Sequence, residues 1–324
     1  MSEATAQAAI AFIKSRYREG KGRIHLDFYG GETLLYTPRL LQLAKELKRF
    51  AEERGGRFDC NVVSNGSLLT RELIQELKGV GLAGIKVTID GPAANHNLFR
   101  PYQDGRPSYQ RIVENLLAVS DLTEVTLGGN FTADNYHLFP QLLDDLLARG
   151  LGPKQIKRVS FAMVMAINDR FASPEYNGGC TACDEPWLRE AMLQVREAAL
   201  ARGYQVDPLR PEVCAVLVDD ALAVNHDGSL YHCLPLAGRE EYRCGDVWTG
   251  FAPSVASHHL DNWQQDPRCP ECVYLPLCRG GCRFSVYQAT GAMAGVDCKQ
   301  SYLAATIPGL LSQELRWRYG MKPA

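Results

Sequence analysis

The sequence has no apolar run near the roughly 18–20 residues that a bilayer-spanning helix needs, so no membrane span is expected. It has little excess of either charge. Its 35 Lys and Arg face 37 Asp and Glu, leaving −2. No concentrated basic patch is visible, and neither nucleic acid nor an anionic membrane is expected as a partner. The first twenty residues mix acids and bases in an amphipathic pattern and lack the apolar core of a signal peptide, so a cytoplasmic chain is expected. No repeat and no low-complexity stretch appears. Cysteine is nearly absent from the first half: of 11 in the chain, only Cys60 precedes residue 180. An odd count, clustered late and without an export signal, argues against a disulfide scaffold and for metal.

What is present is a chain of 324 residues, 46% of them hydrophobic. That is about two domains' length, with enough apolar material for a sizeable core. Residues 3–18 read as a helix with Ala6, Ile10, Ile13 and Tyr17 on one face and Ser2 as N-cap. Strands are expected at Ile24–Tyr29, Phe58–Ser64, Gly84–Ile89, Glu124–Phe131 and Arg158–Met163. Helices between them are marked by Leu40, Leu43, Leu47 and Phe50, then Leu73, Ile74 and Leu77, then Ile112, Leu116 and Val119, then Phe139, Leu142, Leu143 and Leu146. Strands alternating with helices imply βαβ units and a parallel sheet. In such sheets functional groups gather at the carboxyl ends of the strands. Those ends carry Gly30-Gly31-Glu32, Ser64-Asn65-Gly66, Asp90-Gly91-Pro92 and Asn130. A Gly/Cys loop at 176–186 and a helix at 187–202 follow. After Asp207 the elements shorten and Cys, Gly and Pro become frequent, as in a small domain held by metal.

The late cysteines are regularly spaced. Cys214 precedes Gly228 and Cys233; then come Cys269-x2-Cys272-x5-Cys278-x3-Cys282 and, after fifteen residues, Cys298. Thiolates favour zinc or iron–sulfur clusters, and short C-x2-C and C-x3-C loops bring sulfurs together without strain. Seven cysteines exceed one four-ligand site, so two sites are expected, of zinc or of iron and sulfide.

The order C-x13-G-x4-C, C-x2-C-x5-C-x3-C, lone Cys resembles the SPASM extension of radical SAM enzymes, here over about residues 207–300. The resemblance implies two auxiliary 4Fe–4S clusters, with Cys269, Cys272, Cys278 and Cys298 on one and Cys214, Cys233 and Cys282 on the other. Many members add a cysteine shortly after the first, but Ala215–Ala221 contains none. The fourth position is then open, or is filled by Cys244, Cys180 or Cys183. The first half is similar to the same family. Gly30, Gly31 and Glu32 match the segment that meets the amino group of S-adenosylmethionine, which suits a carboxylate beside a cation with glycines allowing close approach. Ser64 and Asn65 follow in the family's order, with Ser64 facing the cofactor. Arg100, after Asp90-Gly91-Pro92 and His96, is a candidate for the cofactor's carboxylate.

The resemblance implies an incomplete (β/α)6 partial TIM barrel at 1–175 with its first strand missing, a linking loop and helix at 176–206, and a SPASM domain at 207–324. The family's C-x3-C-x2-C motif, which would hold a third 4Fe–4S cluster and the cofactor, is not in this sequence. Either the chain is a truncated form or it is a relative without radical chemistry, such as an electron carrier or a peptide-binding scaffold. The intact GGE, SNG and DGP segments favour truncation. As written, the polypeptide is not expected to cleave S-adenosylmethionine. The family mostly modifies peptides, using a flavodoxin- or ferredoxin-type electron donor. Sulfatase-maturating members carry an Asp after the Cys of G-x4-C; here Leu234 stands there. An open iron would suit a substrate thiolate and a thioether cross-link. Cys180 and Cys183 read as a redox pair, an added metal site or plain loop thiols. His226, His232, His258 and His259 are expected to be surface or packing residues.

Overall fold

The computed structural model describes residues 1–18, 22–164, 185–211, 214–218, 220–252 and 262–321. Two compact units emerge. One comprises residues 23–52, 57–209 and 304–324; the other comprises residues 1–22, 53–56 and 210–303.

The first unit holds six parallel strands in sequence order: β1 (Arg23–Phe28), β2 (Arg57–Ser64), β3 (Leu82–Thr88), β4 (Glu124–Phe131), β5 (Arg158–Met163) and β6 (Gln205–Val206). Between them lie α2 (Thr37–Glu53), α3 (Arg71–Gly79), α4 (Ala93–Phe99), α5 (Tyr109–Val119), α6 (Phe139–Ala148) and α7 (Pro186–Ala201). This is the α/β partial-barrel arrangement expected, and all five anticipated strands are present. The two-residue β6 and the helix α4 are additions, both too short to leave a periodic signature.

Alternation builds the core. Cys60, Val62, Val87, Val125 and Leu127 are fully buried, as are Leu47, Ile74, Leu77 and Leu116 on the helices. A methyl group at Gly66 would meet both Val87 and Ile112, so this face of the sheet packs on helices. The other face carries His25, Asp27, Asp59, Asn61, Lys86 and Thr126 at alternate positions of the same strands.

A long helix closes the described chain: α10, the tenth in chain order (Gln300–Tyr319). Its outward positions include Leu311 and Leu315, 46% and 42% exposed. Its bonded face is polar: Arg196 of α7 reaches Glu314 at 2.6 Å, Gln313 donates to the Leu193 carbonyl at 2.9 Å, and Glu197 accepts from Arg316 at 2.8 Å. Apolar periodicity does not predict a helix whose buried side chains are Thr306 and Gln313.

In the second unit α1 (Glu3–Arg16) is capped by Ser2, whose Oγ accepts from Thr5 N at 3.1 Å. Ala6 and Ile10 are buried as anticipated; Tyr17 ends the helix. Ala9 and Phe12 join Leu230, Cys244 and Val247 in one apolar cluster. Four short antiparallel strands, β7 (Ala223–Val224), β8 (Ser229–Tyr231), β9 (Gly245–Asp246) and β10 (Gly250–Phe251), make a small sheet, followed by α8 (Leu275–Cys278) and α9 (Arg283–Thr290).

Candidate functional site

At the carboxyl ends of β1 and β2, one carboxylate ties two loops together. Glu32 Oε1 accepts from Leu34 N at 3.0 Å and Ser64 Oγ at 2.8 Å; Oε2 accepts from Asn65 N at 2.7 Å. Ser64 Oγ in turn accepts from Gly66 N at 2.9 Å, and Thr33 Oγ1 donates to the Val63 carbonyl at 2.7 Å. The Gly-Gly-Glu and Ser-Asn-Gly segments, 32 residues apart, thus form one structure. Gly30 and Gly31 are exposed, and a methyl group at either would touch nothing within 4 Å. The fold has no steric need for glycine there. Close approach of another molecule would supply one.

At the end of β3, Asp90 is 1% exposed. Arg100 Nε donates to its Oδ2 at 2.5 Å, and Asn130 N donates to its Oδ1 at 2.6 Å. Arg100 is therefore held by Asp90 through one edge of its guanidinium. His96, on α4, is fully buried. Its Nδ1 accepts from Asp90 N at 3.1 Å, which places the ring proton on Nε2, 3.1 Å from Ser108 Oγ. Ser108 Oγ donates onward to the Arg100 carbonyl at 2.5 Å. Burial pushes His96 down to about 4, with Arg100 pushing the same way and Asp90 opposing. Asp90, His96 and Ser108 had carried no role in the sequence reading; the polar run Asp-Gly-Pro…His…Arg was the available signal.

In the other unit, Cys269, Cys272, Cys278 and Cys298 line a single cavity, with Arg268 and Tyr274 beside them. Successive turns aim these thiols: Cys272 N donates to the Cys269 carbonyl at 3.0 Å, and Cys278 N to the Tyr274 carbonyl at 2.9 Å. Arg279, Gly280 and Gly281 follow with φ of 46°, 81° and 76°. A methyl group at Gly281 would lie 2.0 Å from the Asp297 carbonyl, so only glycine fits. Asp297 Oδ2 accepts from Cys282 N at 3.0 Å. Arg283, 6% exposed, donates to the carbonyls of Gly280, Gly281 and Gly295. It fixes the turn between Cys278 and Cys282 and the approach to Cys298. Sequence reasoning missed Arg283 and Asp297, because arginine bound to carbonyls leaves no charge pattern.

Cys233 is pushed up to about 11, chiefly by burial and then by the neighbouring Cys282 and Cys214. Cys282 and Cys214 thus both lie near Cys233. Cys244 is buried in the apolar cluster with Phe12 and Leu230, and burial raises its pKa. Cys60 is a core residue of β2 raised to about 12 by burial. Among the described residues, no three His, Cys, Asp or Glu side chains are drawn tightly enough together to hold a single metal ion. His226 is exposed, and His232 stacks on Phe251 with ring centroids 5.9 Å apart. Cys180, Cys183, His258 and His259 lie outside the described residues.

Residues 5–147 match the family model of the Radical SAM superfamily. Among curated proteins it is 26% identical over 302 residues to a serine-type anaerobic sulfatase-maturating enzyme of Bacteroides thetaiotaomicron, covering 81% of this chain and 70% of that protein. It is 25% identical over 297 residues to an AdoMet-dependent heme synthase of Nitratidesulfovibrio vulgaris, covering 81% and 77%. Among solved structures, native anSMEcpe with bound AdoMet and Kp18Cys peptide superposes with a TM-score of 0.72 at 14% identity, covering 96% of this chain and 90% of the other. SuiB of Streptococcus suis bound to S-adenosylmethionine superposes at 0.58 and 11%, covering 92% and 70%. At these identities the superpositions establish the fold. No helix among the described residues is long and apolar enough to cross a membrane.

Proposed function

We propose that this chain is the catalytic scaffold of a cytoplasmic peptide maturase that acts on a ribosomal peptide with S-adenosylmethionine, with a flavodoxin- or ferredoxin-type protein as electron donor. The observation that supports the reading is the cavity lined by Cys269, Cys272, Cys278 and Cys298, with Cys282 and Cys214 near Cys233. The donor set suits iron–sulfur clusters, since soft thiolates favour them. Cys269, Cys272, Cys278 and Cys298 would hold one 4Fe–4S cluster. Cys214, Cys233 and Cys282 would hold the other. Such clusters supply electron transfer and, where a position is open, a soft Lewis-acid site. On this reading residues 1–175 serve the cofactor, 176–206 connect, and 207–324 carry the clusters.

The chain's own residues have definite tasks. Gly30 and Gly31 leave room for the cofactor's amino group to approach the backbone. Glu32 fixes that loop to Ser64 and Asn65 while its charge favours a cation nearby. Arg100, gripped by Asp90, leaves its terminal nitrogens for a carboxylate. The three thiolates that would hold the cofactor-binding cluster are not offered by this chain, whose only cysteine before residue 180 is Cys60. No step is assigned through that cluster.

A peptide cysteine is the favoured substrate group. Cys244 is buried in the apolar cluster of Phe12 and Leu230, a poor setting for a ligand thiolate, so on this reading the Cys214, Cys233 and Cys282 group lacks a fourth thiolate unless Cys180 or Cys183 supplies it. Kinship to a sulfatase-maturating enzyme supports a second reading, sulfatase maturation. Against it, Leu234, 48% exposed, stands where those enzymes place a carboxylate. The deciding measurement is metal analysis of protein purified without oxygen. Roughly eight iron and eight sulfide per chain are expected; stoichiometric zinc without sulfide would refute the cluster assignment.

A further inference from the structure

We infer that the polar face of the parallel sheet, centred on Lys86, is a binding site for a carboxylate-bearing stretch of the substrate peptide. The inference rests on the peptide-maturase reading and adds to it a substrate property, negative charge beside the modified residue.

Lys86 lies in the middle of β3, on the face opposite Val87 and its helix contacts. Its register row runs Val63, Lys86, Thr126, Arg158 across four strands. Other charges on this face have partners among the described residues, the exposed Arg57 at the start of β2 excepted. Asp59 takes Arg23 and His25, each at 2.5 Å; Asp27 takes Asn61 at 3.0 Å; Arg158 takes Asp207 at 3.2 Å. Lys86 is half-buried and has no carboxylate partner among the described residues. A partly desolvated ammonium without a counter-charge is unfavourable until an anion arrives.

The neighbouring strand makes room for it. A methyl group at Gly128 of β4 would come within 2.8 Å of Lys86 Cε. Glycine inside a strand weakens it and commonly marks a close approach; here the approach is the lysine stem. Thr88, Thr126 and Ser160 surround this point on the same face, with Thr88, Gly128 and Ser160 in one register row. None of the three hydroxyls makes a side-chain hydrogen bond among the described residues. An ammonium flanked by free hydroxyl donors matches the acceptor-only oxygens of a carboxylate. The cofactor's own carboxylate is a poorer occupant. Lys86 sits four residues before Asp90, about 13 Å along the strand from the loops at its end.

The test is selection from a random library of synthetic peptides with a central cysteine, using the anaerobically purified chain. Wild type should enrich Asp or Glu at one position by about tenfold, the scale of one charge-assisted bond. Lys86→Gln should abolish the preference, Lys86→Arg should retain it, and Lys86→Glu should replace it with Lys or Arg. S-adenosylmethionine affinity, measured by equilibrium dialysis, should be unchanged in all three. Capture of peptides without acidic bias, or an acidic bias that survives Lys86→Gln, overturns the inference and leaves the maturase reading standing. A parallel loss of S-adenosylmethionine affinity also overturns it, by assigning Lys86 to the cofactor. Failure to capture any peptide counts against the maturase reading itself and removes this inference with it.

Discussion

The same residue type lives two different lives in the two units. In the sheet unit, Cys60 is fully buried between apolar neighbours, and burial raises its pKa to about 12. In the cysteine-rich unit, Cys269, Cys272 and Cys278 are only partly buried and Cys298 is exposed, all around one cavity. The first is core material and chemically inert. The others leave sulfur accessible, held by tight turns and carbonyl bonds with little apolar packing. The difference predicts where stability comes from. The sheet unit is self-sufficient, while the cysteine-rich unit borrows stability from whatever its thiols bind.

Removing bound metal should break this symmetry most. Chelation of anaerobically loaded protein should abolish amide protection across 262–303, where metal binding and folding are one event. Protection in β2, β3 and β4 should stay. Equal loss in both units would contradict the division of labour. Next in size is Arg283→Ala. Three carbonyls would lose a buried charged donor, a cost of about 3–4 kcal/mol. Iron content should fall with the stability of this unit, while the sheet unit's melting is unmoved.

How much of this was legible beforehand follows from what carries each element. The five strands were readable because Val62, Ile85, Val125 and Leu127 alternate with polar residues, and the partial-barrel arrangement came from the resemblance. Spacing and resemblance pointed to two sets among the seven late cysteines, and Cys269, Cys272, Cys278 and Cys298 do line one cavity. Helix α10 was not readable, since its buried side chains are Thr306 and Gln313 and its bonds to α7 run through Gln313, Glu314 and Arg316. Arg283 was not either, because its partners are backbone carbonyls brought together only by the left-handed turn at Arg279–Gly281. Tertiary hydrogen bonds to backbone leave no periodic trace.

The next effect belongs to the sheet unit and to pH. His96 is buried neutral, with its pKa lowered from 6.5 to about 4. The unfolded chain therefore binds more protons than the folded one between these values. Its contribution is intact above pH 6.5 and is lost as pH falls toward 4, up to about 3 kcal/mol. Urea denaturation at pH 7 and pH 4.5 should show the loss, and His96→Gln should flatten it. A wild-type profile no steeper than the variant's would mean that the imidazole is not buried as a neutral acceptor of the Asp90 N–H.

The smallest effect separates two roles for Glu32. If its carboxylate matters only to a ligand, Glu32→Gln and Glu32→Ala should leave the free protein equally stable. The geometry says otherwise. Both oxygens accept, Oε1 from Leu34 N and Ser64 Oγ and Oε2 from Asn65 N. Glutamine keeps one acceptor but turns an NH2 toward a second donor, so one contact becomes donor against donor. Alanine removes the side chain and lets water reach the amides of this half-exposed loop. Glutamine should therefore cost more than alanine, about 1–2 kcal/mol against about 1. Equilibrium unfolding of the two variants, without cofactor, measures the difference. The reverse order, or no difference, would show that the link between the Gly-Gly-Glu and Ser-Asn-Gly loops is not carried by this carboxylate. Its charge would then serve only a molecule bound beside Gly30 and Gly31.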